Sequence, residues 1–107
     1  MRNQIWASIL VVALQFVVAI YLYPSIPESM AIHWGTSGTA DGYGSRIMGL
    51  FLIPGVSAVL LPLLLLLPRF DPLRGLDNFQ ECYNWFILGF TAYMAYIYAL
   101  SIAYNLG

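Results

Sequence analysis

Glu28, His33, Asp41 and Arg46 are the side chains here best suited to chemistry, and all four fall in one stretch, Tyr23 to Arg46. A zinc site takes three or four ligands, and Glu28, His33 and Asp41 stand at irregular spacing. A calcium loop needs acidic oxygens at alternate positions, and Asp41 stands alone. Phosphate loops read GxxxxGK[ST] or GxGxxG. This chain has no lysine, and Gly35, Gly38, Gly42 and Gly44 fit neither spacing. No metal, cofactor or catalytic activity is therefore expected. His33 is left with two readings. One is a hydrogen bond to a neighbouring turn; the other is partner recognition or pH sensing, because histidine titrates near neutrality.

The stretch reads as a compact loop. Pro24 and Pro27 make its entry stiff and extended. Met30 to Trp34 forms a short extended segment, and the four glycines supply turns, with Asp41-Gly42 a strong turn pair. In that reading Asp41 accepts backbone hydrogen bonds across its turn, Gly42 supplies a positive φ, and Trp34 anchors the loop at an interface. Trp34 and Tyr43 among the glycines argue against a flexible linker.

The elements that must position this loop are written in hydropathy. Ile5–Leu22, Ile47–Leu67 and Trp85–Tyr104 are apolar runs without a single Lys, Arg, Asp, Glu or His. At about 1.5 Å per residue each crosses, or nearly crosses, a hydrocarbon core of roughly 30 Å. Hydrophobic residues are 61% and charged residues 8% of the chain, where soluble domains carry about a quarter charged. Continuous runs without period-two alternation favour helices over barrel strands. The expected fold is an all-α membrane protein: three transmembrane helices in one domain, a Gly/Pro-rich outer loop 23–46 and an inner connection 68–84. The first run is longer than a signal-peptide core and precedes no small-residue cleavage site, so it reads as a retained helix.

Arginine counts set the expected orientation. Arg2, Arg69 and Arg74 fall on one side and Arg46 on the other, which places the N-terminus in the cytoplasm and the loop and C-terminus outside. Cys82 and His33 then lie on opposite faces, so no nucleophile–base pair forms. Cys82 reads as a small packing residue. A net charge of −1 with four arginines gives no nucleic-acid footprint.

Within the spans, Gln15 is the one amide in a span core. It reads as helix–helix glue, with the lining of a substrate path as the alternative. Pro54 and Pro62 interrupt the second run; each frees a backbone carbonyl and kinks the helix. Gly75, Asp77 and Gln80 resemble a break followed by a capping box, with Asp77 as N-cap of a third helix roughly 42 Å long. Ala92, Ala95, Ala99 and Ala103 form a small-residue stripe. Either this chain's own helices or a second copy can cover it.

Tyr23-Pro24, Pro27, His33-Trp34, then Gly38-x-x-Asp41-Gly42-Tyr43-Gly44-x-Arg46 leading into a span together resemble one family. It is the membrane domain of unknown function at the front of SdpI-type immunity proteins, and the likeness runs from about Trp6 to Leu67. Relatives often have Lys where this chain has Arg46. The resemblance implies a prokaryotic multi-pass plasma-membrane protein. Its better-known members protect against a secreted peptide toxin and continue into a second membrane domain, whereas this sequence holds three spans. The expected partners are the lipid bilayer and a peptide toxin or another membrane protein. The alternative is a structural subunit or a homo-oligomeric half-transporter, although no intramembrane charge supports ion coupling.

Overall fold

The computed structural model describes residues 2–70 and 79–107. Arg74, Gly75 and Asp77, and with them the proposed cap of the third helix, lie outside the described residues. Three helices carry the apolar runs: α1 Asn3–Leu22, α2 Arg46–Leu66 and α3 Gln80–Leu106. All three are long and apolar enough to cross a membrane. α1 packs most extensively on α3, and α2 touches both.

The segment between α1 and α2 departs from the all-α expectation. It holds two antiparallel strands, β1 Ser29–Trp34 and β2 Ala40–Ser45, which form a hairpin. The stiff extended entry is also corrected, because Tyr23–Ser25 continues α1 as a 3-10 turn with Pro24 near its start. Proline suits that position, where its fixed φ fits and no amide hydrogen is needed. The chain becomes extended only at Ile26, whose side chain is buried.

Two apolar clusters hold the bundle. Near the hairpin, Ala19, Ile26, Met30, Leu50, Tyr98 and Ile102 pack together. Toward the other end, Ile5, Val12, Leu61 and Ile87 form the second cluster. Between them in sequence, each helix places one buried polar residue: Gln15, Ser57 and Thr91.

Prolines explain two of the long-range hydrogen bonds. A helical residue normally donates its amide to the carbonyl four residues earlier, and proline cannot. Pro54 therefore frees the carbonyl of Leu50, and the Tyr98 hydroxyl donates to it at 2.8 Å. Pro68 likewise frees Leu64, and the Tyr83 hydroxyl donates to that carbonyl at 2.6 Å. Two tyrosines of α3 thus supply the donors that two prolines removed, which ties α3 to both halves of α2.

Candidate functional site

The hairpin gathers most of the residues the sequence singled out. β2 alternates: Ala40, Gly42 and Gly44 are half-buried, while Asp41, Tyr43 and Ser45 are exposed. Small inward residues let the strand lie close to its neighbours. A Cβ on Gly44 would sit 3.0 Å from Ile32 Cδ1, and one on Gly42 would sit 3.0 Å from His33 Cβ. A side chain at position 42 would have to push the partner strand's His33 back by a few tenths of an ångström. The positive φ expected at Gly42 is not observed; among the hairpin glycines only Gly38 has one, at 83°. The tip turn is built there, with the Gly38 amide donating to Gly35 and the Gly35 amide donating to Thr39, both at 3.0 Å. Asp41-Gly42 is accordingly strand and not turn.

His33 and Asp41 are joined across the hairpin. Ala31 pairs with Tyr43 and Trp34 with Ala40, but the register shifts between them, so His33 pairs with Gly42, the neighbour of Asp41. His33 Nδ1 and Asp41 Oδ1 are 2.5 Å apart, with both side chains largely in solvent. Asp41 therefore accepts from a side chain across the strands and not from backbone across a turn. Gly35 leaves room for this carboxylate, since a Cβ there would lie 3.1 Å from Asp41 Oδ2. Among the described residues no three His, Cys, Asp or Glu side chains cluster.

What holds the hairpin on the bundle is only partly what the sequence indicated. Met30 is buried in a notch over Gly49 of α2, where an added Cβ would fall 2.4 Å from its sulfur. Trp34 packs edge-on against Tyr104 of α3, with centroids 5.4 Å apart. The strongest link is Asn105, which sequence reasoning missed. The Ala31 amide donates to Asn105 Oδ1 at 2.8 Å, and Asn105 Nδ2 donates back to the Ala31 carbonyl at 3.1 Å and to Ser101 at 2.9 Å. One carboxamide thus satisfies the outer edge of β1 as a third strand would. The only available signal was an amide in the last turn of an apolar helix.

The remaining residues frame the hairpin's base. Ser45 caps α2 by accepting from the Met48 amide at 3.1 Å, the usual work of a serine at an N-cap. Arg46 lies over the Tyr23 ring at 4.9 Å; its Nε is buried without a hydrogen-bond partner. Pro24 and Pro27 are exposed on the connection into β1. Tyr43 is 61% exposed and points away from the small-residue face. Far from this site, Cys82 is exposed instead of packed. Gln15 is buried, and neither polar atom of its carboxamide has a hydrogen-bond partner among the described residues.

A family model described as a domain of unknown function (DUF1648) matches residues 10–58. That span takes in most of α1, the whole hairpin and the first half of α2. It excludes α3, which supplies Asn105, Tyr98 and Tyr104. No curated protein and no solved structure matches the chain.

Proposed function

We propose that this chain is a multi-pass plasma-membrane binding module whose hairpin recognises a peptide or the exposed face of another membrane protein. One observation carries the reading. Met30, Ala31 and Trp34 hold the hairpin against α2 and α3, while the other side holds an exposed Tyr43 and the His33–Asp41 pair. Preorganisation of this kind lowers the entropic cost of binding, and exposed tyrosine is a frequent binding anchor. The resemblance of Tyr23 to Arg46 to the front domain of SdpI-type immunity proteins supports a protective role against a secreted peptide. The arginine distribution supports an outward-facing hairpin.

Two experiments test this. A reporter active only in the cytoplasm, fused after Gly107, gives no signal if the hairpin end faces outward, since Asn105 and the hairpin share one end of the bundle. Cells expressing the chain should also survive a membrane-active secreted peptide that kills cells lacking it. Tyr43→Ser should abolish that survival at unchanged protein level. Equal killing with and without the chain, across a panel of such peptides, sinks the immunity reading.

A further inference from the structure

Gln15 is 4% exposed, and among the described residues neither its Nε2 nor its Oε1 has a hydrogen-bond partner. An unpaired carboxamide among apolar side chains is costly, and hydrocarbon supplies no water to relieve it. Gln15 also lines a groove of about 420 Å³ between α1 and α3, together with Leu14, Val18, Ala95, Ala99 and Ala103. Ala99 and Ala103 are exposed, so this chain's own helices leave the small-residue stripe uncovered. The three alanines stand on successive turns, spaced to let another helix approach closely. A lipid chain fills such a groove but brings neither a donor nor an acceptor.

A second carboxamide brings both. Two glutamines can bond reciprocally, each N–H to the other's oxygen, and a two-fold axis passing beside them makes both bonds equivalent. We propose that two copies of this chain pair through the α1–α3 groove. The two Gln15 carboxamides bond to each other there, and Ala95, Ala99 and Ala103 form the close helix contact. Gln15 borders the groove with its carboxamide buried, so the pairing requires its side chain to turn toward the opening. This pairing is independent of what the hairpin recognises.

The full chain in phosphatidylcholine–phosphatidylglycerol vesicles, carrying Cys82→Ser and one new cysteine, provides the test. Ala99→Cys should crosslink oxidatively into a covalent dimer, whereas Val59→Cys, on the exposed face of α2, should do so at least roughly tenfold less. Adding Gln15→Leu should raise the dimer dissociation constant in lipid, read by fluorescence energy transfer on dilution, about tenfold. The same substitution should leave the monomer at least as stable to heat, because it removes an unpaired polar group. Equal crosslinking at positions 99 and 59, or none at 99, overturns the proposal. A dissociation constant unmoved by Gln15→Leu overturns the paired amides. A monomer made less stable by Gln15→Leu reveals an intrachain partner and overturns it as well.

Discussion

The hairpin end and the middle of the bundle treat buried polar groups in opposite ways. At the hairpin end most polar groups have a designated partner, although the Arg46 Nε is buried without one among the described residues. Asn105 closes the edge of β1, Tyr98 takes the carbonyl freed by Pro54, and Ser45 caps α2. In the middle, Thr91 bonds only to its own helix at Ile87, and Gln15 and the Ser57 hydroxyl have no partner among the described residues. Both regions use small residues for close approach, yet Gly42, Gly44 and Gly49 are filled by neighbours in the same chain, while Ala99 and Ala103 face outward. The contrast separates a surface whose close contacts are made within the chain from one whose small residues remain exposed. The hairpin is a finished platform that any partner must meet as it stands. The α1–α3 groove holds a buried carboxamide with no partner among the described residues, and the proposed pairing would give it one.

The comparison breaks first at Asn105. Asn105→Ala leaves the Ala31 amide and carbonyl unpaired in a site where water is scarce. It should cost about 2–4 kcal/mol, the sum of two unsatisfied groups. Thermal unfolding in detergent measures the loss, and hydrogen exchange at Ala31 locates it. A loss below about 0.5 kcal/mol would show that water replaces the carboxamide and that the hairpin is not clamped there. Next, Gly49→Ala forces a Cβ into Met30, whose own Cβ lies 2.7 Å from that point, so the sulfur's flexibility cannot relieve it. Overpacking of this kind costs about 1–3 kcal/mol, and the same melt should show it.

Tyr98 offers a sharper test, because its role is tied to one proline. Tyr98→Phe should cost about 1–2 kcal/mol by leaving the Leu50 carbonyl bare. In a Pro54→Ala background position 54 regains its N–H and can bond Leu50 itself, so most of that cost should disappear. A double-mutant cycle measures the coupling; additivity would mean that the tyrosine serves packing alone. The smallest effect on stability is expected at Asp41→Asn. The His33–Asp41 pair is exposed, and exposed pairs contribute about 0–1 kcal/mol. Stability should barely move while survival in the peptide challenge falls. Loss of fold with this substitution would shift Asp41 from the recognition surface to the framework.

The helical part of this fold was legible because it depends on local composition. A backbone in hydrocarbon must bond to itself, so a long apolar run between Pro, Gly or charge is already a helix of known length. The prolines were legible as interruptions, but not the tyrosines that answer them, which lie 48 and 19 residues away in the chain. The loop residues were recognisable as a set, and His33 and Asp41 do come together across the strands, while Trp34 turns to Tyr104 of α3. Their arrangement was misread because Asp41-Gly42 and the neighbouring glycines follow turn chemistry in isolation.

By itself the sequence determined three apolar helices, the segment that joins the first two, and the concentration of polar and aromatic residues within it. These follow from hydropathy and from what proline and glycine allow, which are properties of neighbours along the chain. Only the tertiary structure decided that the segment is a hairpin. Glycine has low strand propensity, and a two-stranded ribbon alone is marginal in water. Here the ribbon persists because Met30 finds the Gly49 notch and Asn105 stands in for a third strand from 74 residues away. The same packing decided that Gln15 has no partner among the described residues. A lone amide in an apolar run is identical in sequence whether or not a neighbour meets it, and only the placement of the other helices makes the difference.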